Sequence, residues 1–180
     1  MALRHGFKAE ANAWSRDLRR EMGLSAQSAI CTRRLCEYLE LPLLKLSKVE
    51  ANPAHLAYFL AGEGRKTFSA VTLSVGGRRW IIHNDAHDDG RQAANIAHEI
   101  AHALLNHPIP ALFSDDGQRS HKADEEEAKW LGPALLISDE AALFIVSSGM
   151  SVSQAATFYG ASREVVQMRV NVCAARRRVA

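Results

Sequence analysis

Apolar positions recur every three to four residues over 5–22 and again over 26–39, which predicts two amphipathic helices. Gly23 is a natural stop for the first and Ser25 a cap for the second. Leu41-Pro42 ends the second helix, and LLKLS (43–47) predicts a short strand. Asn52-Pro53 pairs a cap with proline at the first helical position, so 53–61 predicts a small helix, closed by Gly62 and Gly64. FSAVTLSV (68–75) and RRWIIHN (78–84) flank Gly76-Gly77, a two-residue loop that accepts positive φ at both positions, and together they predict a β-hairpin. After His87-Asp88-Asp89-Gly90, the run RQAANIAHEIAHALLN predicts one long helix, followed by a proline-bearing loop over 107–121. Helix is predicted again over 122–131, with a break at Gly132-Pro133, a further piece from Ser138 and two more helices around Gly160. Helices, a small antiparallel sheet and then helices give an α+β class, not an alternating βαβ pattern. The expected organisation is a core over 1–138 and a helical, helix-turn-helix-like extension over 139–180 packed on it.

Composition narrows the class without naming a function. The chain has 180 residues, 47% of them apolar and 23% charged, which excludes disorder, collagen-like fibre and coiled coil. No apolar run approaches the roughly 18–20 residues needed to cross a bilayer, and the first twenty residues lack the apolar core of a secretory signal, so a cytoplasmic protein is expected. Cys31, Cys36 and Cys173 are an odd, sparse set without CxxC spacing, expected as reduced packing residues. The net charge of +2 is bland, but its distribution is not. Residues 115–127 carry six acids against two bases, and the last twenty residues carry five arginines against one glutamate.

The chemistry concentrates in His98-Glu99-Ile100-Ala101-His102 on the long helix. Residues four apart share a helix face, so both imidazoles can reach one metal ion. Glu99 falls about 100° round from His98, beside such an ion, where a base acting on water belongs. Two imidazoles and a carboxylate suit Zn²⁺ with a fourth position left open. The rest of the helix is Ala, Ile and Leu on nearly every side, and two histidines and a glutamate buried there need partners. A third ligand is expected from Asp124-Glu125-Glu126-Glu127, which opens the next helix. The helix dipole accounts for Asp124 and Glu125 in the first turn. Glu127 lies four before Leu131 and seven before Ala134, on a stripe that turns apolar, and Glu126 competes on spacing.

HEIAHALLNH followed by ADEEEAKWLGPALLIS resembles the ImmA/IrrE family of zinc metallo-endopeptidases, gluzincin-like enzymes that pair HExxH with a later E-A-x-x-(F/L) motif. The strand Trp80-Ile81-Ile82-His83-Asn84 is similar to the family's run before the zinc helix, so the likeness covers roughly 27–138. It implies His98, His102 and Glu127 as zinc ligands and Glu99 as the catalytic acid/base. Zinc then activates water and polarises the scissile carbonyl, while Glu99 takes the proton and passes it to the leaving amine. Ile100-Ala101 replaces the commoner Leu-Gly, Ser138 stands where many members have proline, and Gly132-Pro133 interrupts the second motif; none of these is a ligand. An oxyanion donor is also expected, and His83, His87, His107 and His121 qualify by residue type alone.

The resemblance further implies an intracellular substrate, a helix-turn-helix repressor whose cleavage releases stress-response, DNA-repair or mobile-element genes. The alternative is a non-proteolytic zinc-containing regulatory module, acting as a toxin–antitoxin-like partner or a DNA-binding protein. Residues 150–178 have helix-turn-helix spacing, with Ala156, Gly160 at the turn, and basic Arg163, Arg169 and Arg176–Arg178. DNA binding and simple packing both fit that pattern, and packing is the favoured expectation because a basic tail specifies nothing alone.

Overall fold

The structure is a computed structural model that describes residues 3–109 and 122–173. His121, Arg176, Arg177, Arg178 and most of the predicted 107–121 loop lie outside those residues. Helices α1 (Phe7–Glu21), α2 (Thr32–Tyr38), α3 (Pro53–Leu60) and α4 (Gly64–Thr67) precede the long α5 (Asp89–Leu104), with strands β1 (Leu43–Lys45), β2 (Ala70–Val75) and β3 (Arg78–His83) set among them. Then follow α6 (Lys122–Leu136), α7 (Asp139–Ser147), α8 (Val152–Tyr159) and α9 (Arg163–Val172). The class is α+β, as expected.

The hairpin forms as the sequence predicts, with Gly76 and Gly77 at φ 58° and 76° and Val71 facing Ile82 across the ladder. The sheet is mixed, however, not purely antiparallel. β1 joins the far side of β3 in parallel, Leu43 opposite Ile81, giving the order β1-β3-β2. Among the described residues β2 therefore has a strand neighbour on one side only.

Two expectations from helical periodicity fail for identifiable reasons. Helix α2 begins at Thr32 and not near 26, because the backbone before it is committed elsewhere. The Ala26 carbonyl accepts from Ser138 Oγ, the Gln27 carbonyl from the Tyr159 hydroxyl and the Ser28 carbonyl from Arg19 Nε. Ser25 bonds the Ser28 hydroxyl, and Cys31, at the helix start, is exposed. The predicted break at Gly132-Pro133 is also absent: α6 runs through Pro133, and the Ile137 N–H closes a turn on the Pro133 carbonyl. The carbonyl that proline leaves without a donor belongs to exposed Lys129, within reach of water.

Gly132 has a packing role. A Cβ there would lie 3.1 Å from the His98 Cα and N, so α5 and α6 cross backbone to backbone. One apolar cluster, around Phe7, Leu35, Ile81, Ile100 and Leu131, joins α1, α2, the sheet, α5 and α6. A second, around Ile137, Ile145, Tyr159 and Val166, packs α7–α9 on Ala97 and Leu136. Ser138, Ser151 and Ser162 each accept from a backbone N–H at the starts of α7, α8 and α9, and Gly160 sits at the predicted turn with φ 59°. On α9, Arg169 is fully buried, donating to the Ile137 carbonyl, Asn12 Oδ1 and Asp139 Oδ1. No single helix among the described residues is long and apolar enough to cross a membrane.

Candidate metal centre

Helix α5 is aimed by its caps. Asp88 accepts the Arg91 N–H at the start, and at the far end Asn106 takes φ 51°, reversing the chain so that the His107 N–H returns to the His102 carbonyl at 3.0 Å. Its buried stripe (Ile96, Ala97, Ile100, Ala101) holds it in the core. His98, Glu99 and His102 fall on the remaining face, beside β2 and the first turns of α6.

The two imidazoles meet there. His98 Nε2 and His102 Nε2 lie 3.1 Å apart, with ring planes 79° to one another. Glu125 spans them, Oε2 at 3.5 Å from His98 Nε2 and Oε1 at 3.4 Å from His102 Nε2. A tetrahedral zinc ion with bonds of 2.0–2.1 Å separates its ligands by about 3.3 Å. The three spacings straddle that edge length, so the donor set fits such an ion in both chemistry and size. His98, His102 and Glu125 also form the one group of potential ligands among the described residues.

The carboxylate brought to the imidazoles is therefore Glu125, and the expected Glu127 is not. Glu127 Oε1 lies 2.8 Å from Arg4 Nε, and its Oε2 faces His107 Nε2 at 3.6 Å. The competing Glu126 pairs with Lys129 at 3.8 Å. The reason lies in helix phase. The second half of α6 is buried nearly all round, so the apolar stripe through Leu131 and Ala134 does not single out the face toward α5. That stripe faces α1, where Ser15 Oγ donates to the Ala134 carbonyl and Lys8 caps the Trp130 ring. The face toward α5 is marked by Gly132, at the close crossing, and the acid seven residues before it is Glu125. The spacing from that glycine is the sequence feature that marks Glu125 as facing the imidazoles.

Glu99 lies half-buried beside the pair. Thr72 Oγ1, on β2, donates to Glu99 Oε2 at 2.7 Å. Burial pushes the Glu99 carboxyl above its ordinary pKa, against the Thr72 hydrogen bond and the nearby His98, which pull it down. Burial, with His98 alongside, drives His102 down to about 4. Thr72, Glu99, His102, His107 and Glu125 line a common cleft, together with Val71 and Asp124. Of the histidines considered as oxyanion donors, His107 is at this cleft. His87 instead bonds the Arg65 carbonyl through Nε2, and His83 borders a separate groove between α2 and β1. Sequence patterning gives no sign of Thr72, which reaches Glu99 only because the hairpin lies across α5.

Comparison with the curated proteins found no match. The model of the IrrE N-terminal-like domain, a peptidase family, matches residues 55–171, a span that includes the hairpin, α5, α6 and the C-terminal helices. By that match, over more than half its length, the chain belongs to the IrrE N-terminal-like domain family of peptidases.

Proposed function

We propose that this protein is a zinc-dependent endopeptidase in which His98, His102 and Glu125 hold the ion and Glu99 is the general acid/base. The observation that carries the reading is the trio of spacings between 3.1 and 3.5 Å, with a second carboxylate, Glu99, held beside the trio and not within it. A structural site has no use for that extra acid. When bound, zinc supplies a Lewis acid and lowers the pKa of water. Glu99 uses one oxygen to accept from Thr72, which fixes the carboxylate plane and leaves the other free. Its raised pKa makes it a better proton acceptor from the attacking water and still able to release that proton to the departing amine.

An extended peptide is the substrate shape that fits. β2 lines the cleft through Val71 and Thr72 and keeps one edge without a strand neighbour among the described residues. A peptide added along that edge passes Glu99 and Glu125. We take the substrate to be a helix-turn-helix repressor in the cytoplasm, with derepression of stress-response, DNA-repair or mobile-element genes as the outcome. In this reading α7–α9 form an extension that packs on the core. The burial of Arg169 and the acids beside Arg163, namely Glu164 and Asp88, argue against a phosphate-binding face on the described part of α9.

Metal analysis of wild type and Glu99→Gln, with cleavage of the repressor encoded beside the gene, tests the proposal. Both proteins should bind one zinc, and the variant should lose roughly 10²–10⁴-fold in cleavage rate. A variant that cuts as well as wild type removes Glu99 from the mechanism. Zinc binding without cleavage by either protein favours the regulatory-module alternative.

A further inference from the structure

The ring nitrogen of His102 that faces away from Glu125 is also engaged. His102 Nδ1 and His107 Nδ1 lie 2.9 Å apart, a distance at which exactly one of the two must carry a proton. His107 is buried, and its position is fixed from outside the ring. Its N–H closes the α5 C-terminal turn, and Arg79 Nη2 donates to both the Asn106 side chain (3.0 Å) and the His107 carbonyl (2.9 Å). Beyond it, His107 Nε2 faces two carboxylates, Glu127 Oε2 at 3.6 Å and Asp124 Oδ1 at 3.9 Å. Glu127 is in turn held by Arg4, which also binds Glu10.

The polarity of this row is decided by its outer end. A bare Nε2 lone pair on His107 would point at two carboxylates, so the favoured neutral tautomer carries its proton there. His107 Nδ1 is then an acceptor and His102 Nδ1 the donor, so the His102 Nε2 lone pair accepts from His98 Nε2, 3.1 Å away, and in the metal-free chain His98 carries the proton that faces Glu125. We propose that His107 and Glu127 are positioning residues that set the tautomer and ring orientation of His102, so that it meets zinc already in its ligand form. Glu127 thus serves the metal from two imidazoles away. The inference rests on the reading of His98, His102 and Glu125 as the zinc site. An outer carboxylate that orients a ligating imidazole is a recurrent device of zinc sites; here a second histidine is interposed.

Histidine-selective ¹H–¹⁵N spectra of the wild type, metal-free and zinc-loaded, read the tautomers directly. The expected result is a proton on His102 Nδ1 and on His107 Nε2 in both states. Zinc affinity by chelator competition supplies the second readout. His107→Phe, which keeps a ring but offers no acceptor, should weaken zinc roughly 10–100-fold. Glu127→Leu should weaken it less, because Asp124 remains, and His107→Gln, which restores an acceptor, should recover part of the loss. Unchanged zinc affinity in a folded His107→Phe, or a proton on His107 Nδ1 in wild type, overturns the relay while leaving the zinc site standing. A wild type that binds no zinc overturns the ligand reading, and the relay falls with it. Should His107→Phe fail to fold, the wild-type spectra still decide.

Discussion

The polar clusters at the two ends of α6, one buried and one partly exposed, are built on opposite rules. Around Arg19 every donor has an acceptor. Nε bonds the Ser28 carbonyl, Nη1 the Ser15 carbonyl and hydroxyl, and Nη2 the carbonyls of Leu135 and Leu136. Next door, Arg169 donates through Nε to the Ile137 carbonyl and through Nη2 to Asn12 and Asp139. These arginines satisfy the last carbonyls of α6, which a helix cannot satisfy itself, and so they fix the helix end in the core. At the other end of α6 the rule is reversed. There, two imidazole nitrogens and a carboxylate converge on one point, acceptor facing acceptor, with no protein donor among them in the ligand tautomer. A saturated cluster is a staple; a convergent cluster of lone pairs is a binding site. One helix carries both, fixed at its C-terminus and, in the proposed function, metal-binding at its N-terminus.

The sharpest way to break that distinction is to delete one member of each cluster. Arg19→Met strands several carbonyls in the core and should cost about 3–5 kcal/mol in urea unfolding. His98→Ala in the metal-free protein should cost no more than about 1 kcal/mol, since it removes one hydrogen bond, to His102, from a partly exposed side chain. Equal losses would mean that the imidazoles are as structural as the arginines. Next in size, Glu125→Gln should weaken zinc beyond the roughly 100-fold ceiling of an outer-shell change, about 2.7 kcal/mol by competition titration. A smaller loss than that of Glu127→Leu would exchange the two glutamates' roles.

Gly132→Ala probes the crossing that joins the clusters. Its Cβ meets only backbone of His98 and Ala97, so overpacking of about 1–3 kcal/mol should outweigh the helix-propensity gain of about 1 kcal/mol. Thermal unfolding of the metal-free protein reads the balance, and a net stabilisation would show that α5 can move away freely.

A further expected effect is one of pH. His102 is held at about 4 in the folded metal-free chain, against about 6.5 when unfolded, so the unfolded chain binds more protons between those values. Its contribution to stability is complete above pH 6.5 and is lost as pH falls through about 4. Glu99 runs the other way, its raised pKa costing stability as pH rises through it. Urea midpoints between pH 7 and 4 in a Glu99→Gln background read the histidine slope, which His102→Ala should reduce, with His83, also held down by burial, supplying the remainder.

Much of this was legible in the sequence, because it was local. The hairpin was fixed by two β-branched runs around Gly76-Gly77, the small helix by Asn52-Pro53, and the paired imidazoles by their four-residue spacing. What failed was decided by partners far along the chain. Residues 26–28 have helical periodicity, yet their carbonyls are taken by Ser138, Tyr159 and Arg19. Thr72 looks like an ordinary strand residue until the sheet lies across α5. Among four consecutive acids, periodicity favoured Glu127 because Leu131 and Ala134 are buried, but the second half of α6 is buried on nearly every side, against α1 as well as α5, so burial does not mark the face toward His98 and His102.

The bare Cα of Gly132 against His98 has one more consequence. In the proposed site, the distance from Glu125 on α6 to the two imidazoles on α5 depends on how closely those two backbones approach. It therefore works as a size gauge for ions. Calcium, with bonds of about 2.3–2.6 Å and a need for six to eight oxygens, is too wide for it and finds the wrong atoms there. Small tetrahedral ions that accept nitrogen pass. Ligand swaps would change which donor atoms an ion finds there. A side chain at Gly132 would change the spacing itself.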